Sequence, residues 1–438
     1  MEDKIICKLR DAGFYVHYVG GWVRDSLLKI KSNDIDLVTN ALPTEIEELF
    51  NCDDWKVDLA GSAFLICLVN GVEVASYRED FNLSDGAGNC HPIAAETLES
   101  DLARRDLTIN AMAINPYTGE LIDQFNGLKD LNNRIIRFVG NSPTDRIKED
   151  YVRMIRACRF CALIDGSMHI DTFDAIKKNA HLAKEVAPER VRVEILKAMK
   201  TPKPSIFFEF LRSTELLKHV LPELNACYGH PGGKWHNETV WDHSMLVGDA
   251  LGRKDPLLRL VGFLHDIGKP ATWDGERFLF HEVKGRDMIV DIFKRLKFST
   301  DETKFAAPLV RHHMRMLDAD MTKKALRKNL RKFEEDGVDW KSFLRIRIAD
   351  TNGNLGQDNY KIHEIATFIR MFNKALSQDA KPAFGRHALE VNGKDVMDHL
   401  GIAPGAIIGC FLDILLEEVL EDPEVNTKET LLEILEEI

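Results

Sequence analysis

The sequence predicts a mixed α/β head followed by a long, mostly helical body. Three observations carry this. β-rich runs alternate with short amphipathic segments up to residue 145, and two of them, Phe64–Val69 and Val72–Tyr77, flank Asn70-Gly71, a strong short-range hairpin signal. From Asp145 onward the apolar period is that of a helix. Six of the fifteen histidines then fall between His236 and His313, in or beside helix-like segments. The division expected is a head at 1–145, a helical neck at 146–230, a histidine-rich region at 231–360 and a helical tail at 361–438.

Within the head, Tyr15–Gly20 reads as a strand closed by Gly20-Gly21, and a short helix with Arg24 and Asp25 follows. A second strand, Ile35–Val38, brings Asp34 and Asp36 onto one face, because side chains at i and i+2 project together. Carboxylates paired in this way suit a hard cation such as Mg²⁺. A glycine turn opening a helix presents backbone N–H groups to phosphate. Together they describe a site for a metal-bound nucleoside triphosphate. Pro43–Phe50 reads as a helix with Thr44 near its start. Glu73 lies on the second hairpin strand, as a third acid or a plain exposed one. Residues 79–100, with Asp85-Gly86-Ala87-Gly88, are polar and read as a long loop. Arg104-Arg105-Asp106-Leu-Thr-Ile-Asn110 supplies fixed donors for a triphosphate and partners for ribose hydroxyls. The turn and cap residues from Asp123 through Gly127 to Asp130 fit a hinge.

Glu149-Asp150-Tyr-Val-Arg153 opens the helical region, and Arg153, Arg156 and Arg159 recur at threes as a basic stripe. Asp150 and Arg153, read as i and i+3 of one helix, can address one object. A carboxylate that accepts beside a guanidinium that donates matches cytosine and adenine, which carry an amine next to a ring-nitrogen acceptor. Uracil and guanine reverse that pattern, and a site left with unpaired polar groups rejects them. Ala187-Pro-Glu-Arg190-Val-Arg-Val-Glu194 is expected to support the neck, and Thr201-Pro-Lys-Pro204 to end one helix and start another.

These motifs, in this order, resemble the nucleotidyltransferase superfamily, in particular the class II tRNA nucleotidyltransferases (CCA-adding enzymes) and the bacterial poly(A) polymerases. The resemblance implies a nucleotidyltransferase head of mixed sheet and helices. It implies that Asp34 and Asp36 hold two Mg²⁺, with Glu73 as a third acid in a Glu73-x-x-x-x-Arg78 pattern. Gly20, Gly21, Arg24 and Arg105 would then grip phosphates, Asp106 and Asn110 would face ribose, and Asp150 and Arg153 would read the base with help from Arg156 and Arg159. The implied partners are CTP, ATP and a tRNA 3′ end, with pyrophosphate released.

Further on, the order His243, His265-Asp266, His281, His312-His313 and Asp350 places imidazoles and carboxylates on several helices, a good divalent-metal set. It resembles the HD phosphohydrolase superfamily and its two-metal members. That implies an HD domain able to hydrolyse phosphomonoesters or cyclic phosphodiesters, or to serve as an RNA-binding scaffold. Imidazole-rich sites take Mn, Fe, Co, Ni or Zn. The run Lys323–Phe333 has Leu326, Leu330 and Phe333 on a buried stripe with a basic face opposite, which is expected to be solvated.

Composition bounds the alternatives. With 438 residues, 45% hydrophobic and 29% charged, the chain has ordinary globular composition. No apolar run approaches the ~20 residues of a bilayer span, and Met-Glu-Asp-Lys has no signal-peptide layout, so a cytoplasmic protein is expected. The eight cysteines show no framework spacing; Cys158 and Cys161 read as buried thiols. The net charge of −12 conceals a basic middle, since ten acids and only Lys428 lie from Asp413 onward. This acidic tail is expected to pack and to self-associate. Poly(A) polymerase, a partial CC- or A-adding enzyme, an HD phosphohydrolase with an RNA-binding head, and transfer to a small hydroxylated molecule remain open, as does the choice between monomer and homodimer.

Overall fold

The computed structural model describes residues 1–437 apart from 31–34, 53, 82–85, 87–90, 234–236, 316–320, 357 and 378–384. Two compact units are present, Met1–Asn225 and Ala226–Ile438. The expected division after 145 falls inside the helix Pro143–Glu149, and head and neck belong to one unit.

The first unit is built on a seven-stranded mixed sheet, in the spatial order Val57–Asp58, Ile66–Val69, Val72–Ser76, Asp36–Thr39, Val16–Val19, Ala113–Ile114, Leu121–Ile122. Asn70 and Gly71 take φ of 49° and 82°, the left-handed pair that a tight hairpin requires. The strand Asp36–Thr39 runs parallel to Val72–Ser76, with Asp36 opposite Glu73. Strand alternation sends Leu37 to one face and Val38 to the other. Leu37 joins Ile5, Leu9, Val16, Phe50 and Val74 in one apolar layer, and Val38 joins Val19, Tyr77, Leu98 and Leu102 in a second. Both faces of the sheet are thus covered, and its strands are fixed in register by burial.

One expectation is corrected here. Residues 79–100 are not a plain loop, because Arg78–Phe81 and His91–Ala94 pair as an antiparallel ribbon and Leu98–Ala103 is a helix capped by Thr97. The ribbon gives backbone groups partners that an open loop would leave to solvent. Asp85, Ala87 and Gly88 lie outside the described residues. The neck follows as helices, of which Val152–Ile164 is buried along most of its length. Cys158 and Cys161 are in that buried part, and burial pushes the Cys158 thiol up to about 12.

The second unit is helical. Val240–Ala250, Pro256–Leu264, His281–Arg295, Thr300–His312 and Trp340–Gly353 form its first part. Lys323–Asp336 buries Leu326, Leu330 and Phe333 as expected, and its basic face, though Lys328 and Lys332 stay largely exposed, also meets the tail. Arg327 donates to the Leu420 carbonyl (3.0 Å), Lys328 pairs with Glu417 (3.3 Å) and Arg331 with Asp413 (3.3 Å), all on the tail helix Ala406–Glu421. The acidic tail therefore packs against the basic run of its own unit. No helix among the described residues is long and apolar enough to cross a membrane.

Candidate functional site

A cavity of about 560 Å³ opens in the first unit, in the size range of small-ligand sites. Its floor is the end of the sheet. Gly20 has φ +65°, and a Cβ there would stand 3.0 Å from Arg105 Nη1 and 3.3 Å from Asp36 Oδ2. Only glycine lets this turn bring its backbone so close to both groups. The helix Gly20–Leu27 starts at the turn, with Gly20 and Gly21 both lining the cavity and its first N–H groups lacking partners within the helix. Asp36 and Glu73, in register on neighbouring strands, both line it. Asp34 lies outside the described residues.

Eight arginines and Lys197 line the cavity, against the carboxylates of Asp36, Glu73, Asp106, Asp150 and Glu194. The site is thus basic within a chain of net charge −12. Each arginine is held in place. Arg24 donates to Asn110 Oδ1 (2.7 Å) and Asp25 (2.7 Å), and its guanidinium lies 5.2 Å from the Phe160 ring centre. Arg104 and Arg105 share Asp101, at 3.0 and 2.9 Å. Burial works against the Asp101 charge, but Arg105 and Arg104 hold its carboxyl below the usual range. Asp106 accepts from Arg156 (2.8 Å), Asn110 Nδ2 (3.2 Å) and the Leu107 N–H (2.9 Å). Burial opposes its charge too, and Arg156 and Asn110 overcome it.

The geometry of Asp150 and Arg153, the pair expected to read the base, differs from the sequence reading. Asp150 has extended backbone, φ −160°, and closes the helix Pro143–Glu149, whereas Arg153 belongs to Val152–Ile164. The two are therefore not i and i+3 of one helix. Both line the cavity, but each carries another partner. Asp150 takes a two-pronged contact from Arg190, at 3.0 and 2.7 Å, and Arg153 donates to Glu149 and to the Arg104 carbonyl (3.2 Å). Arg156 and Arg159 both reach Glu194. Arg190, Glu194 and Lys197 were missed as site residues. They follow one face of the helix Pro188–Ala198 at i, i+4 and i+7, a periodicity legible in the sequence that could have nominated them.

In the second unit six predicted ligands converge. His243, His265 and Asp350 form one group able to hold a metal, and His265, Asp266 and His313 a second. His281 Nε2 lies 3.3 Å from Asp266 Oδ1. The Nδ1 atoms of His265, His281 and His313 face the carbonyls of Gly262, Phe278 and Val310 at 2.8, 2.9 and 2.7 Å, and that of His243 faces Gly353 O at 3.2 Å. Carbonyls accept only, so they draw the ring proton to Nδ1 and leave the Nε2 lone pairs pointing inward. His243 and His265 Nε2 are 3.2 Å apart, and His281 and His313 Nε2 are 3.4 Å apart. Asp266 Oδ1 is buried without a hydrogen-bond donor. Converging lone pairs and an unsatisfied carboxylate oxygen make a donor set that fits bound cations.

His312 is the correction. It turns away, with Nε2 2.6 Å from Asp336 and Nδ1 accepting from Arg315 (2.6 Å). Successive residues on a helix do not face the same way, so of the His312-His313 pair only the second enters the cluster. Lys269 binds the other oxygen of Asp266 at 2.6 Å.

Comparison with known proteins covers the chain almost from end to end. The family described as poly A polymerase head domain matches residues 16–137, that described as the probable RNA and SrmB-binding site of polymerase A matches 167–228, and the HD domain family matches 236–338. The CCA-adding enzyme of Ligilactobacillus salivarius is 32% identical over 432 residues, covering 98% of this chain and 94% of that protein. The multifunctional CCA protein of Stenotrophomonas maltophilia is 31% identical over 388 residues, covering 84% and 93%. The crystal structure of the Bacillus stearothermophilus CCA-adding enzyme in complex with CTP superposes with a TM-score of 0.69 at 26% identity, over 99% of this chain and 95% of that one. By its length-wide likeness and its ordered head, RNA-binding and HD segments, the chain belongs to the CCA-adding enzyme family.

Proposed function

We propose that this protein adds C, C and A to the 3′ end of tRNA from CTP and ATP, without a nucleic-acid template, and releases pyrophosphate. The observation that supports this most is the meeting, in one basic cavity, of Asp36 and Glu73 with the Gly20 turn, Arg105 and Asp150. Asp36, with Asp34 and Glu73, would hold Mg²⁺, which when bound lowers the pKa of the primer 3′-hydroxyl and neutralises triphosphate charge. The chain's own groups do the rest. Backbone N–H groups at Gly20 and Gly21, with Arg24 and Arg105, bind and orient the phosphates. Asp106 and Asn110, fixed by Arg156 and Arg24, present their remaining polar capacity to ribose. Asp150 accepts from the base amine and Arg153 donates to the ring nitrogen, which selects C and A over U and G.

A second activity is favoured by the converged histidines. The HD centre would bind divalent transition metal through His243, His265, Asp266, His281, His313 and Asp350 and hydrolyse phosphomonoesters or cyclic phosphodiesters. Two variants separate the activities. Given tRNA lacking its 3′ end, CTP and ATP, Asp36→Ala should abolish incorporation and keep hydrolysis of a 2′,3′-cyclic nucleotide, while His265→Ala should do the reverse. Sequencing of the product ends should read CCA. Long A tails, or incorporation persisting in Asp36→Ala, would defeat the reading.

A further inference from the structure

We infer that Arg190 is a positioning residue that determines base specificity by fixing the orientation of Asp150; this rests on the reading of Asp150 as the acceptor for the base amine. The helix Pro188–Ala198 places Arg190 in its first turn, and the two prongs of the guanidinium meet the two carboxylate oxygens, Nη1 to Oδ1 at 3.0 Å and Nη2 to Oδ2 at 2.7 Å. Such a planar fork sets the plane of the carboxylate as well as its place. Oδ1 also accepts the Val152 N–H at 3.1 Å.

A carboxylate oxygen offers about two acceptor directions. Oδ1 has spent both, on Arg190 and Val152, while Oδ2 has spent one, on Arg190. One acceptor direction remains, on Oδ2, and Arg190 decides where it points. A single fixed acceptor is what an exocyclic amine needs, and it has nothing to give the carbonyl that uracil or guanine presents there. Arg153 is immobilised separately, by Glu149 and the Arg104 and Arg146 carbonyls. Without Arg190 only the Val152 N–H still holds the Asp150 carboxylate, at one oxygen, so its plane can turn about that contact and the spacing between acceptor and donor is no longer enforced. Lysine cannot replace the fork, since its ammonium is a point donor that leaves the carboxylate plane unset.

The test uses the full-length enzyme and tRNA ending at the nucleotide before CCA. Both kcat and KM are measured with CTP and with UTP for wild type, Arg190→Met, Arg190→Lys, Asp150→Ala and the Asp150→Ala/Arg190→Met double variant, with thermal unfolding as the check on folding. Arg190→Met should lower the CTP-to-UTP ratio of kcat/KM by about tenfold, the scale of one misaligned hydrogen bond. Arg190→Lys should not restore it, and in the Asp150→Ala background Arg190→Met should change the ratio no further. A purely structural role would lower activity with both nucleotides alike and leave the ratio unmoved, and that result overturns the inference. If Asp150→Ala itself keeps the wild-type ratio, the base-reading assignment falls and this inference with it; if Asp150→Ala loses the ratio while Arg190→Met keeps it, only this inference falls.

Discussion

Gly20→Ala separates backbone strain from site geometry. At φ +65° any L side chain sits in the left-handed region, which costs about 1–2 kcal/mol of stability. The added Cβ would also press on Arg105 Nη1 at 3.0 Å and lie 3.3 Å from Asp36 Oδ2. Arg105 cannot easily yield, because its guanidinium is tied to Asp101 at 2.9 Å, and Asp101 is fully buried. If these groups hold the triphosphate as proposed, a displacement on the order of 1 Å costs about a hundredfold in rate. Gly13→Ala is the matched control, since Gly13 has φ +92° and nothing within 4 Å of its would-be Cβ. Both variants should show the backbone cost in urea melts, Gly20→Ala somewhat more because of the added contact. Only Gly20→Ala should lose about two orders of magnitude in kcat/KM for CTP incorporation. If Gly20→Ala retains activity within about threefold of Gly13→Ala, the close approach of the turn to Arg105 and Asp36 does not matter to catalysis, and the site assembled around it is wrong.

Two further outcomes follow from the same geometry. Purified His312→Ala should keep wild-type metal content by elemental analysis while His265→Ala loses it; equal loss in both would return His312 to the cluster. Asp101→Asn should cost about 3–5 kcal/mol at neutral pH, because it leaves Arg104 and Arg105 without their buried partner. The folded-state pKa of Asp101 is depressed, so its contribution is complete above the ordinary carboxylate range near ~4 and is lost as pH falls through the lower folded value. The stability gap between wild type and Asp101→Asn should therefore narrow below about pH 4, and a gap independent of pH in urea melts would refute the pairing.

Much of the candidate site could be read without coordinates because its signals are local. Gly20-Gly21, Asn70-Gly71 and the arginines at 153, 156 and 159 are separated by a few residues, and backbone geometry alone carries such spacing into space. The errors fall where local spacing was trusted across a break in the backbone. Asp150 and Arg153 looked like helix neighbours, but the chain is extended at Asp150 between two helices. His312 and His313 looked like a pair of ligands, but the helix turns one of them toward Asp336.

From its order of residues alone this chain declares an α/β head with a carboxylate-and-glycine candidate nucleotide site, a helical body and a candidate histidine-aspartate metal set, because periodicity and motif spacing are properties of neighbouring residues. What only the tertiary structure decided is which charges answer one another. Glu73 opposes Asp36 through parallel strand register, Arg190 claims Asp150 from forty positions away in the chain, and the acidic tail neutralises the basic helix Lys323–Asp336. Such pairings depend on how distant elements pack, and a carboxylate's neighbours in sequence do not reveal which arginine the fold will bring to it.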